Sequence, residues 1–307
     1  MCAPPLPGAC HDASVISFGS RRVPWSFALL ALLALVAGVW IGARGNEDSE
    51  AAAPVVAAAG IPARDNTAGA SVAGQVRVHL LGRSVQGRLI RAYELGDPLA
   101  PRRALVVGYV HGDERAGLAI VRQLRARAKT ISGVDLWVVP TTNPDGGAAN
   151  TRQNARGVDL NRNFPAGWTP LPRGTYYSGT GPLSEPESKI AHALIQRLKP
   201  DVSIWYHQHA QLVDASGGDP AAERRYANLV GLPFKRFTRP PGSITTWTNR
   251  TYKGTTAFVV ELPAGSLSPA SAARHARAVL ALAARAQSGA AEARPRASAE
   301  RDPGVQG

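Results

Sequence analysis

Residues 104–117 read ALVVGYVHGDERAG. The first six, ALVVGY, form a short unbroken apolar run, the pattern of a strand buried on both faces of a parallel sheet. LAIVRQLRARA follows, and Ala116, Ile120 and Leu124 fall on one face of the predicted helix. Strand, tight turn and helix in that order begin a β-α unit. The turn places His111 and Glu114 three apart, around Gly112 and Asp113. A polar turn between strand and helix is one reading of this, and a metal site is the other.

Outward from that unit, strands and helices mostly alternate. QVRVHLLG (75–82) and GRLIRAYEL (87–95) predict an opening hairpin. VDLWVV (134–139) is a second buried strand, ended by PTTNPDGG. Ile190, Leu194 and Leu198 mark one helix face, VSIWY (202–206) a third strand and AFVV (257–260) a fourth. A last helix is expected from Ser268-Pro269, a cap followed by a proline in the first turn, to about Gln287. The predicted fold is α/β: a single domain over 75–288 with a mixed, mostly parallel, twisted sheet and helices on both faces. Ligands of such sheets bind beyond the carboxyl ends of the strands. His111, Asn143, His207 and Glu261 each follow or end one of the four apolar strands, so all four are expected at one rim.

Composition limits the alternatives. The net charge is +13, but its 35 Lys and Arg form no dense block, which argues against nucleic acid and for attraction to anionic surfaces. Both cysteines, Cys2 and Cys10, precede the domain, so neither a disulfide nor a cysteine zinc site serves it. Residues 1–22 are a short basic tail. VPWSFALLALLALVAGVWIGA (23–43) exceeds the roughly 7–15 apolar residues of a secretory signal and suits the roughly 17–25 of a spanning helix. Arg21 and Arg22 before it, against Glu47, Asp48 and Glu50 after it, place the domain outside the cytoplasm, membrane-anchored or secreted after cleavage. Residues 44–74, rich in Ala, Gly and Pro, read as a linker, and 289–307 as a disordered tail.

A hydrolytic zinc takes three protein ligands drawn from His and carboxylate. His111, Glu114 and a histidine from the third strand end can supply them, with Glu261 as general base. Residues two apart on a strand face the same way, so periodicity does not choose between His207 and His209.

HGDE (111–114), NPDGG (143–147), TRQNARGVDLNRNFP (151–165), SGTGPLSEPES (178–188), WYHQ (205–208) and FVVELP (258–263) occur in the order they take in one family. The chain resembles the zinc carboxypeptidases, carboxypeptidase A-like enzymes that include bacterial murein-peptide amidases, and is most similar to the latter. The resemblance implies one zinc ion held by His111, Glu114 and His207, with Glu261 as base. It implies Arg152 at the oxyanion, and Asn161 and Arg162 on a substrate carboxylate, roles that an arginine fork suits. Outside that context either arginine reads as surface charge. The family's active-site tyrosine has Tyr252 as its nearest candidate, although the interval to Glu261 is shorter than in the digestive enzymes. His209 reads as an outer contact of the site, a substrate contact or a surface residue, and His79, His192 and His275 as structural. In SEPES, Ser184 is expected to cap a helix with Glu187 bonding back to it.

The implied activity is zinc-dependent hydrolysis of an amide bond next to a free carboxylate, in a murein peptide or an extracellular peptide. Murein-peptide amidases cut the γ-D-glutamyl–diaminopimelate bond. A deacylase of small N-acylated amino acids and a non-catalytic cell-wall-binding domain are the alternatives. The long DLNRNFP and FVVELP matches weigh against the first, and the full set of ligands and base against the second.

Overall fold

Alternating apolar runs build one sheet. The structure, a computed structural model, describes residues 55–56, 75–238 and 241–284. In chain order the elements are β1 (Val55–Val56), β2 (Arg77–Arg83), β3 (Leu89–Gly96), β4 (Arg103–Val107), α1 (Gly117–Ala126), β5 (Asp135–Val139), α2 (Pro144–Ala149) and α3 (Pro186–Leu198). Then come β6 (Val202–Gln208), β7 (Leu212–Asp214), α4 (Pro220–Val230), β8 (Phe234–Lys235), α5 (Ile244–Thr251), β9 (Thr256–Leu262) and α6 (Pro269–Ala283).

The sheet order is β1-β2-β3-β5-β4-β6-β9-β7-β8. Its centre, β5-β4-β6-β9, is parallel throughout. The β2/β3 hairpin and the β3/β5 and β7/β9 pairs are antiparallel, so the sheet is mixed and mostly parallel as expected. Helices α1, α4 and α6 bury Ile120, Leu124, Tyr226, Ala276 and Val279 in the core on one face. Helices α3 and α5 bury Leu194, Ile195, Ile244 and Trp247 in the core on the other. Every residue of β5 is buried, which is why VDLWVV carries no polar alternation.

Several expectations need adjusting. Val55–Val56, inside the expected linker, pairs in parallel with β2. The SEPES segment does start a helix, but without the expected reciprocal cap. Glu185 is the N-cap residue, with no side-chain cap bond. The Ser184 hydroxyl donates to Glu185, and Glu187 accepts from the Val85 amide and from Asn154. Glu187 is fully buried, so it serves the β2–β3 turn instead of its own helix. The short strands β7 and β8 and helices α2, α4 and α5 have no counterpart in the sequence reading. The 23–43 segment and the 289–307 tail lie outside the described residues. Among those described, no helix is long and apolar enough to cross a membrane.

Candidate metal centre

His111 lies in the turn between β4 and α1. Its backbone carbonyl accepts from the Glu114 amide (3.0 Å), which closes the turn. Gly112 permits this path: a Cβ there would fall 1.9 Å from the backbone carbon of Gly146. Glycine is therefore required by the close approach of α2. His207 is the sixth residue of β6, beside β4 in the parallel sheet. The imidazoles and the carboxylate meet at one point. His111 Nδ1 lies 3.0 Å from His207 Nδ1 and 2.9 Å from Glu114 Oε2, and His207 Nδ1 lies 2.8 Å from Glu114 Oε2. All three residues are buried. This is the one group among the described residues with the donors and spacing to hold a metal ion.

The surroundings fit a cation. The far nitrogen of His111, Nε2, lies 2.9 Å from Asp159 Oδ1, a hydrogen bond that directs the Nδ1 lone pair of the neutral ring at the common point. Burial works against charge on His111, but the Asp159 and Glu114 carboxylates outweigh it and raise its pKa to about 9. Burial likewise opposes ionisation of Glu114, yet His111 and His207 hold it far below the usual carboxylate range. Burial, with His111 beside it, lowers His207. A positive charge at the shared point is thus favoured.

A cavity of about 550 Å³ opens on this point, lined by Arg152, Asn161, Arg162, Tyr176, His209 and Glu261 among others. Glu261 sits directly across from His207 in the β6/β9 register. The ends of β4, β6 and β9 therefore meet at one rim. Asn143 does not line the cavity: buried, it accepts from the Gly146 amide (2.9 Å) and caps α2. Arg152 reaches the cavity on a fixed fork, donating to Asp159 Oδ2 (2.9 Å) and Glu114 Oε1 (3.0 Å). Asn161 and Arg162 lie on a buried 3₁₀ turn, Leu160–Arg162. Asn161 Oδ1 accepts from the Ile244 amide (3.1 Å), and Arg162 Nη1 donates to the Asn161 carbonyl (2.7 Å).

Strand β6 ends at Gln208, so the two-residue period stops before His209, which is exposed at the cavity wall. The structure brings His207 to the shared point. Tyr252 is a correction: it is not at the cavity. It follows α5 and packs edge-on against Trp247 (5.8 Å between ring centres), at the margin of the α3/α5 core. The tyrosine that lines the cavity is Tyr176, which lies in a segment without periodicity. Gln208 ties the β6 end to its neighbours. Its Oε1 accepts from the Ala116 amide at the start of α1 (2.9 Å), and its Nε2 donates to the carbonyls of Pro263 and Gly265. No spacing in the sequence signals those bonds. Among the described residues the other histidines do not line the cavity. His79 bonds Glu94, His192 stacks on Trp247, and His275 bonds the Tyr226 hydroxyl.

Residues 67–259 match the family profile of the zinc carboxypeptidases. The chain belongs to that family. As a zinc carboxypeptidase it is a peptide-bond hydrolase with one zinc ion as its cofactor. It is 31% identical to murein peptide amidase A of Vibrio campbellii over 185 residues, 52% of this chain and 69% of that protein. It is 34% identical to murein peptide amidase A of Escherichia coli over 173 residues, 49% of this chain and 68% of the other. Among solved structures it is similar to the murein-tripeptide amidase of Escherichia coli O157. That likeness has a TM-score of 0.55 and 25% identity, and covers 68% of this chain and 92% of that one. Carboxypeptidase A of Helicoverpa armigera shares the fold, with a TM-score of 0.60 at 19% identity, over 71% and 70% of the two chains. In this zinc carboxypeptidase the closed His111–Glu114–His207 triangle and the cavity above it are the place where a metal and a peptide can meet.

Proposed function

We propose that the protein hydrolyses the amide bond preceding a residue with a free carboxylate in murein peptides. The observation that carries this reading is the ligand triangle, set beside Glu261 and two guanidiniums in a single cavity. Likeness to the murein peptide amidases of two bacteria supports the choice of substrate.

His111, Glu114 and His207 would hold the zinc, which supplies a Lewis acid and acidifies water. Arg162 and Asn161 receive the substrate carboxylate, and a planar guanidinium suits both of its oxygens. Arg152, fixed by two buried carboxylates, presents its charge where the carbonyl oxygen gains negative charge. Glu261, across the strand pair from His207, takes a proton from the attacking water on a carboxylate oxygen and passes it to the departing amine. Asp159 holds both His111 and Arg152, so one buried carboxylate orients a ligand and a cation together.

Arg21, Arg22 and the apolar 23–43 run support placing the domain outside the cytoplasm, anchored in the membrane or secreted, next to the cell wall. The test uses the full-length protein. Metal per chain is measured first, and then the hydrolysis of L-Ala-γ-D-Glu-diaminopimelate is compared with that of ordinary peptides with free and amidated carboxyl ends. Diaminopimelate release with one zinc per chain is expected. Equal or faster trimming of ordinary free carboxyl ends would make it a general carboxypeptidase, and absence of turnover on every peptide would end the proposal.

A further inference from the structure

Tyr176 takes no part in the chemistry above, yet it stands over the cations that the chemistry needs. Its ring centre is 5.3 Å from the guanidinium carbon of Arg152 and 5.4 Å from that of Arg162. It lines the same cavity and is 48% exposed, so the core does not account for its position. The backbone on either side of it is pinned. Gln153 Nε2 donates to the Thr175 carbonyl (3.1 Å), the Asp159 amide donates to the Tyr177 carbonyl (2.8 Å), and Asn163 Nδ2 donates to the Ser178 carbonyl (2.8 Å). Every donor comes from 151–165, the stretch that also carries Arg152 and Arg162. The ring is thus held in place by the segment it covers.

We infer that Tyr176 is a substrate-positioning residue that acts through the two arginines, its ring roofing the carboxylate-binding end of the cavity. This rests on the reading that a substrate carboxylate meets Arg162 and Asn161 while Arg152 faces the carbonyl to be cut. The electron-rich face of the ring attracts both guanidiniums and restrains their planes, so the forks are set before the carboxylate arrives. The ring also shields the pair from water, and charge attraction strengthens where water is excluded. The aromatic face carries this role, and the hydroxyl does not.

Full-length zinc-loaded protein and the variants Tyr176→Phe, Tyr176→Leu and Tyr176→Ala are compared. Calorimetric binding of 3-phenylpropanoate, a small carboxylate, is followed at low and high salt, with KM and kcat on the murein tripeptide in parallel. For Ala and Leu we expect about tenfold weaker carboxylate binding and a similar rise in KM, the scale of a shielded cation–π contact. kcat should stay within about twofold, because Asp159 and Glu114 still fix Arg152 at the carbonyl, and binding should become more salt-sensitive. Phe should match the native protein. Unchanged binding in both Ala and Leu would overturn the inference, and so would a Phe variant as weak as Ala. Leu keeps the apolar bulk, so it also serves if Ala fails to fold. If native protein leaves the tripeptide uncut, the murein assignment fails, while the 3-phenylpropanoate titration still decides the role of Tyr176.

Discussion

Glu261 and His207 face each other across one strand pair, yet their proposed tasks are separable by substitution. Glu261→Gln removes the proton acceptor and leaves the ligand triangle intact. It should keep one zinc per chain by elemental analysis while kcat falls by about 10²–10⁴, the usual contribution of a general base. His207→Ala opens the triangle and should lose the metal. His209→Ala, at an exposed wall position, should keep it, and the reverse result would reassign the ligand. At this scale much was legible, because a polar residue ending an apolar strand has little reason to be there except at the rim. His111 and Glu261 stand out in that way, and Glu114 through its spacing from His111. The choice between His207 and His209 was not legible from periodicity, since nothing in the pattern marks the end of β6 at Gln208. Tyr252 misled for a related reason: its distance from Glu261 along the chain says nothing about which cavity wall it reaches. Asp159 carried no signal of its own, although it holds both His111 and Arg152.

Among the elements, the turn from β4 into α1 depends on its contact with α2. A methyl at residue 112 would meet backbone atoms of Gly146 at 1.9 and 2.2 Å, and backbone has no rotamer with which to yield. Gly112→Ala should destabilise the fold by at least the 1–3 kcal/mol typical of overpacking, about. It should lower zinc occupancy as well, because His111 and Glu114 flank the displaced residue. Gly181→Ala, where a methyl meets open space, should leave thermal stability and metal content unchanged. The central strands were readable because each is a continuous apolar run. Strands β7 and β8 are only Leu212–Asp214 and Phe234–Lys235, too short for any period to show. Helix α2 was hidden because PDGGAA carries no apolar stripe. It is fixed by its Asn143 cap and by contacts too close for any side chain.

For the molecule as a whole, a second group of acids makes stability depend on pH in an unusual direction. Burial raises the Glu223 carboxyl to about 7, with Asp214 and Asp219 adding to the effect. Because its folded pKa exceeds the ordinary carboxylate value, the native state holds this proton more tightly than the unfolded chain between about pH 4.5 and 7. Stability from this residue is therefore complete below that window and declines as pH rises through it. Glu223→Gln stays neutral and can still accept from the Gly218 amide, so it should raise the melting temperature at pH 8 by more than at pH 5. A calorimetric gain on the order of 2 kcal/mol at the higher pH is the expected scale, and equal shifts at both would contradict the assignment. The overall architecture was legible from the order of apolar runs, but the partnership of Glu223 with Asp214 and Asp219 joins α4 to residues outside any motif.

The ligand triangle has a further consequence for the chain itself. His111 and His207 are separated by 96 positions, and no cysteine follows Cys10. An ion gripped by both would act as the crosslink this disulfide-free domain otherwise lacks, closing a long loop in the way a staple does. Inside that loop lie Arg152, Asn161, Arg162 and Tyr176. Removing the metal would therefore slacken the segment that lines the cavity along with the ligand triangle.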